Sequence, residues 1–191
     1  VGAIGSGLEV LDDASMDAAM HEAALDLVRS GGGKAIALLK YARVAYGAAG
    51  GRGAELPTEE AEALLRELFN WTKATLVWRV PPGLAAKDKV KVLLILGYAA
   101  ADCAPRGGAV TITGRDAAFE IVAEGARVLL NEEFTRALAG ECADLKPKFA
   151  PAYMAGLLAR DAGGGVDAAI EDGRVVMRAT FAKTPALALA R

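Results

Sequence analysis

One histidine, two cysteines and seven prolines are all that 191 residues contain of these types, and each scarcity removes a class of protein. Cys103 and Cys142 stand in different segments without C-x-x-C spacing. Neither a disulfide framework nor a zinc site is indicated, no metal site is expected, and a reducing cytosol suits the chain. Neither sign of charge dominates: the net charge is −2, which leaves no overall basic field for nucleic acid or an anionic membrane. The longest apolar run, residues 92–101, is too short to cross a bilayer, and no basic-then-apolar signal segment opens the chain. A soluble, cytoplasmic protein with no nucleic-acid partner and no membrane partner is expected.

What the chain has in quantity is apolar side chains, 53% of the residues, and glycine, 22 of them. The first supports a packed core in one large domain or two small ones. The second poses a question at once, because residues 1–7 read VGAIGSG. A phosphate loop needs G-x-G-x-x-G between a strand and a helix, and this order is different. Val1, Ile4, Leu8 and Leu11 fall at 3-4-3 spacing with Gly2, Ser6 and Glu9 on the other side, which predicts an amphipathic helix. Asp12-Asp13-Ala14-Ser15 reads as a capped turn. A long helix over 16–46 follows, its stripe being Met20, Ala24, Leu27, Gly31, Leu38, Ala42 and Ala45. Residues 47–53, GAAGGRG, break the pattern and read as a linker. Beyond it the chain predicts a helix over 59–72 capped at Thr58, a strand over 75–80 and a helix over 87–104. Strands over 109–113 and 118–123 meet at Gly114-Arg115-Asp116. Helices over 132–139 and 152–162 precede strands over 166–170 and 175–181, joined by Glu171-Asp172-Gly173-Arg174. The fold class is α+β, with one sheet covered by helices on one face. Trp71 and Trp78 read as core, and Tyr41 and Tyr46 as packing at the linker end of the hairpin.

A helical hairpin, a linker, then helix, strand, helix, Pro105-Arg106-Gly107-Gly108 and a strand hairpin resembles the layout of two-component histidine kinases. In these a dimerising phosphotransfer hairpin precedes a GHKL-type ATP-binding domain. The strings VGAIGSGLEVLDD, LLKYARVAYGAAG, VLLILGYAAADCAPRGGAVTITG and ARDAGGGV are similar to the alphaproteobacterial histidine phosphotransferase family (ChpT type) across nearly the whole chain. The resemblance implies a dimerisation and phosphotransfer hairpin over 1–47, forming a dimeric four-helix bundle. It also implies a degenerate GHKL (Bergerat-type) α/β sandwich over 55–184 and a tail over 185–191. It implies a homodimer that relays phosphoryl groups between a hybrid histidine kinase and CtrA-like receiver domains of response regulators. No ATP-dependent kinase activity and no bound cofactor are expected, Mg²⁺ coming with the receiver. Two alternatives stay open, a non-catalytic dimeric scaffold for receivers and an active histidine kinase.

Departures from the kinase pattern support the phosphotransferase reading chemically. The helix before P-x-G-G should carry an asparagine that holds Mg²⁺; Ala99 stands there, and a methyl group ligates no metal. The D-x-G-x-G box falls at Ala123-Glu124-Gly125-Ala126-Arg127, with no carboxylate at its first position and Arg127 in place of the second glycine. Lys146-Pro147-Lys148-Phe149-Ala150-Pro151, where a glycine-rich lid belongs, has no glycine.

In the family the phosphoacceptor lies in a string like H-D-x-x-N-P directly before the part matching Val1, so no catalytic residue is expected in this chain and the histidine is expected just upstream. His21-Glu22 imitates the start of such a box, but it sits near the hairpin turn without the proline and reads as an exposed helix residue. Helical periodicity puts Gly2 and Ser6 near the phosphoacceptor's face, and antiparallel pairing brings Arg29-Ser30-Gly31-Gly32-Gly33-Lys34 level with it. Glycines inside a helix cost roughly 0.8–1 kcal/mol each relative to alanine. Close approach of a partner helix is the expected offset, a break in the helix the alternative. Val1, Gly2, Ser6, Glu9, Arg29, Gly31 and Lys34 are the expected partner-binding residues. Arg29, Lys34, Lys40 and Arg43 form a basic rim that could steer an acidic receiver.

Overall fold

The computed structural model describes residues 2–47, 54–115 and 117–182. Val1, most of the expected linker and the whole expected tail lie outside the described residues.

The chain opens with α1 (Gly2–Asp12) and α2 (Ala18–Ala45). Asp13 Oδ1 accepts from the Ser15 amide and hydroxyl at 2.9 and 2.6 Å, which closes the turn between them. Asp17 then caps α2 by accepting from the Met20 N–H at 2.8 Å. The two helices run antiparallel with small residues at the crossing. A Cβ on Gly7 would lie 2.7 Å from Val28 Cγ2 and 3.0 Å from the Ala24 carbonyl oxygen, and one on Gly31 would lie 2.7 Å from Ile4 Cγ1. Helix α2 runs unbroken through Gly31, Gly32 and Gly33, so the break is excluded. The close approach that Gly31 permits is that of the chain's own first helix.

The expected stripe on α2 is corrected in part. Ala24 and Ala45 are buried, whereas Met20 and Leu27 are exposed. Tyr41, read only as packing, is among the most buried side chains of the helix at 3% exposure. Ala37, Tyr41 and Ala45 share one hydrophobic cluster with the second half of the molecule.

That half begins with β1 (Glu55–Pro57) and α3 (Thr58–Phe69), followed by β2 (Ala74–Arg79), β3 (Leu84–Ala86) and α4 (Lys87–Asp102). Strands β1 and β3 form a two-stranded antiparallel ribbon. At three residues each they are too short for alternation to show in sequence. Thr58 does not cap α3. Pro57 occupies the cap position, and the Thr58 hydroxyl donates across to the Pro81 carbonyl at 2.9 Å. The remaining elements are β4 (Gly108–Arg115), β5 (Ala118–Glu124), α5 (Glu132–Ala139), a 3-10 turn (Pro147–Phe149), α6 (Ala150–Asp161), β6 (Gly165–Glu171) and β7 (Arg174–Thr180). The main sheet has the order β2-β4-β5-β7-β6, with β2 parallel to β4 and every other pair antiparallel.

Alternation decides which face of the sheet is covered. Val110, Ile112, Ile121, Ala123, Val175, Met177 and Ala179 are buried under the helices. Helix α4 is apolar through Val90, Val92, Leu93, Leu94, Ile95 and Leu96, all buried, because it lies between sheet and neighbouring helices. The opposite face carries Arg178, which donates to Glu120 at 3.1 Å and in bidentate fashion to Glu171 at 2.5 and 2.7 Å. The β6–β7 turn needs two residues with positive φ, and Asp172 at 47° and Gly173 at 74° supply them. Gly108 (φ 148°) permits β4 to start against β5, since any Cβ there would overlap the Glu124 carbonyl oxygen.

Candidate functional site

Two places on this frame bear on function, the open face of the hairpin and the hollow where α2 meets the sandwich. On α1, Gly2, Ser6 and Glu9 are exposed, and neither Gly2 nor Gly5 has anything within 4 Å of where a Cβ would stand. On α2, Arg29 and Lys34 are exposed and Gly31 is half-buried beneath Ile4. With Ile4 over Gly31 and Gly7 over Val28, the α1 residues from Gly2 to Glu9 lie level with the α2 stretch from about Gly33 back to Asp26. One end of the hairpin therefore presents small and charged groups together. The basic rim is weaker than its sequence suggests. Arg29 bonds Asp26 at 3.2 Å and Lys40 bonds Glu67 at 2.9 Å, and exposed pairs of this kind cancel much of the field a partner would feel.

His21 lies at the other end. It is half-buried rather than exposed, and its Nε2 sits 3.2 Å from the Asp13 carbonyl oxygen, closing the last turn of α1.

The hairpin carries a second apolar stripe beyond the one its sequence predicts. Leu25, Ile36 and Leu39 are exposed at 39, 54 and 70%, and with Gly32 they recur at steps of seven, four and three along α2; Leu8 on α1 is exposed at 48%. The spacing was visible, but an apolar residue stands on every face of α2, so no single stripe stood out.

The hollow has a volume of about 330 Å³ and its walls come from four parts of the chain. Tyr41 and Tyr46 come from the end of α2, Tyr98, Ala99, Asp102 and Cys103 from α4. Asn131 and Phe134 stand at the start of α5, Lys148 in the 3-10 turn before α6 and Ala152 in the first turn of α6. The Tyr41 ring lies 5.2 Å from that of Tyr98, tilted, and 5.7 Å from that of Tyr46, nearly perpendicular; such contacts add to the gain from burial. The two hydroxyls of Tyr41 and Tyr46 are 3.3 Å apart. Burial, then the neighbouring tyrosine, pushes the Tyr41 phenol far above its ordinary range. Tyr98 is raised by burial and by the Asp102 carboxylate, and Cys103 is pushed up to about 12 by the same two causes. Cys103 is therefore an inert packing thiol. Of the three positions expected to mark a lost nucleotide site, Ala99 lines the hollow, Ala123 is buried in the sheet core and Arg127 is exposed on the segment after β5. Among the described residues, no three His, Cys, Asp or Glu side chains come together as a metal site would need, and no helix is long and apolar enough to cross a membrane.

A helical hairpin rooted in a helix-covered mixed sheet is the arrangement that the sequence resemblance to histidine phosphotransferases implied. Comparison with known proteins narrows the class. Residues 58–174 match the histidine phosphotransferase C-terminal domain family. The protein phosphotransferase ChpT of Brucella abortus (strain 2308) is 31% identical over 169 residues, covering 85% of this chain and 79% of that protein. The solved structure of a bacterial phosphotransferase superposes with a TM-score of 0.80 at 30% identity, covering 93% of this chain and 86% of that one. The chain belongs to the histidine phosphotransferase family.

Proposed function

We propose that the protein relays phosphoryl groups within a cytoplasmic two-component pathway, as a homodimer that takes them from a hybrid histidine kinase and delivers them to response-regulator receiver domains. The observation that carries this reading is the exposed, side-chain-poor face of α1 at Gly2, Gly5 and Ser6, on a chain of histidine phosphotransferase family. The phosphoacceptor is a histidine upstream of Val1. In the transfer, a carboxylate oxygen of the receiver aspartate attacks phosphorus in line, the P–N bond to the imidazole breaks, and the nitrogen lone pair returns to the ring. The receiver brings the Mg²⁺. This chain contributes position: a face without bulky side chains lets a receiver helix lie close, bringing aspartate and phosphohistidine to near-attack distance. The exposed leucine and isoleucine stripe of α2 supports the dimer, because two such faces bury each other in a four-helix bundle.

The test substitutes Ser6 by tryptophan in the full-length protein. Transfer to an isolated receiver domain is expected to slow at least tenfold, the loss of about 1.4 kcal/mol of docking energy, while the dimer keeps its mass in sedimentation. Transfer at the parental rate would remove this face from the reaction.

A further inference from the structure

Helix α2 serves two structures at once. Its residues 24, 28 and 31 meet α1, and residues 33, 37, 41 and 45, each four apart, meet the sandwich. A Cβ on Gly33 would lie 2.9 Å from Trp71 Cζ2. Ala37 is 1% exposed and Ala45 0%. Lys40 reaches across to Glu67 at 2.9 Å, and Tyr41 stacks on Tyr98 of α4 at 5.2 Å between centroids. These contacts tie the hairpin and the sandwich into one hydrophobic cluster. A jointed pair would meet across a wet and separable interface. Meanwhile Gly2 and Gly5 on α1 keep open space before them.

We infer that Tyr41 and Tyr98 are positioning residues for phosphoryl transfer: they clamp the sandwich against α2 so that it cannot swing over the face offered to the receiver. The inference rests on the relay reading given above. A sandwich free to move on the hairpin would compete with the receiver for the phosphohistidine face, and a docking face available only part of the time binds its partner more weakly by that fraction. The clamp acts through the ring stack. The hydroxyl contact between Tyr41 and Tyr46, at 3.3 Å, is secondary, because Tyr46 is 40% exposed and water competes for its hydroxyl.

The experiment uses the full-length protein. One spin label is placed on the exposed face of α1 and one on β6, and the distance distribution is read without any receiver; steady-state transfer to an isolated receiver domain, with phosphodonor in excess, is then measured. The parent is expected to give one narrow distribution. Tyr41→Ala should broaden it and raise the KM for the receiver about tenfold, corresponding to a docking face open about a tenth of the time, with kcat unchanged. Tyr41→Phe, which keeps the ring, should restore both. Should Tyr41→Ala not fold, Glu67→Lys sets two ammonium groups against each other at the seam surface and is expected to broaden the distribution in the same sense. A narrow distribution in folded Tyr41→Ala, or a broadened one with KM unchanged, overturns the inference. Because the distances are read without a receiver, a parent that is clamped yet transfers nothing would instead count against the relay reading alone.

Discussion

Glycine 31 and glycine 32 are adjacent in sequence and opposite in meaning. A methyl group at residue 31 would meet Ile4 Cγ1 at 2.7 Å, an atom near the backbone end of its side chain, whereas one at residue 32 meets nothing within 4 Å. The first glycine is required by the crossing of α1 and α2. The second spends helix propensity without a return inside the chain. Gly31→Ala is therefore expected to lower stability by about 1–3 kcal/mol through overpacking, and Gly32→Ala to raise it by about 0.8–1 kcal/mol through backbone entropy. Chemical denaturation of the two variants beside the parent checks both signs; equal shifts would mean that α1 does not seat on Gly31. The same pair marks how far the sequence could be read. That a helix with three central glycines exists was legible from its periodicity. What each glycine faces was not, because Ile4 and Trp71 stand 27 and 38 positions away along the chain, and only the fold brings them there.

At the scale of elements, most strands and helices of the sandwich were legible, through a single buried face or, in α4, through a mostly apolar run; β1 and β3 were too short to show. The alternation of β5 and the Asp-Gly turn between β6 and β7 announce themselves. Helix α2 has three occupied directions, toward α1, toward the sandwich and toward open solvent, so its apolar residues obey no single stripe. This is why Leu27 was assigned inward and lies exposed, while the Tyr41 contact with Tyr98 was missed. The solvent-facing direction carries Leu25, Ile36 and Leu39, and the relay proposal gives them to a second copy. Leu39, at 70% exposure, has little to lose in the monomer. Leu39→Asp is expected to leave the melting temperature of the isolated chain within a few degrees and to weaken self-association at least a hundredfold, as a buried unpaired carboxylate at a dimer core would. Sedimentation velocity across a concentration series reads this directly, and an undisturbed dimer would place the second copy on another face.

For the molecule as a whole, the issue is whether a sandwich whose hollow is lined in part by the end of the hairpin can take a nucleotide. The sequence could show only substitutions at Ala99, Ala123 and Arg127. The structure adds that the cavity wall beside Ala99 is completed by Tyr41 and Tyr46 from the hairpin, so the clamp and the hollow are one construction. Its charged lining is one carboxylate, Asp102, and one ammonium, Lys148. A triphosphate with Mg²⁺ carries several negative charges, and it would meet a carboxylate in the wall and an alanine methyl at the position where the resemblance to kinases leads one to expect an amide. Calorimetric titration with ATP and Mg²⁺ is accordingly expected to show no saturable binding tighter than about 1 mM. The stronger form of the prediction concerns repair. If losing the amide were the whole cause, Ala99→Asn would recover affinity. Because Asp102 stays in the wall and no carboxylate stands at Ala123, Ala99→Asn alone is expected to leave the titration flat. Recovery in the single variant would show that the missing amide alone had cost the affinity.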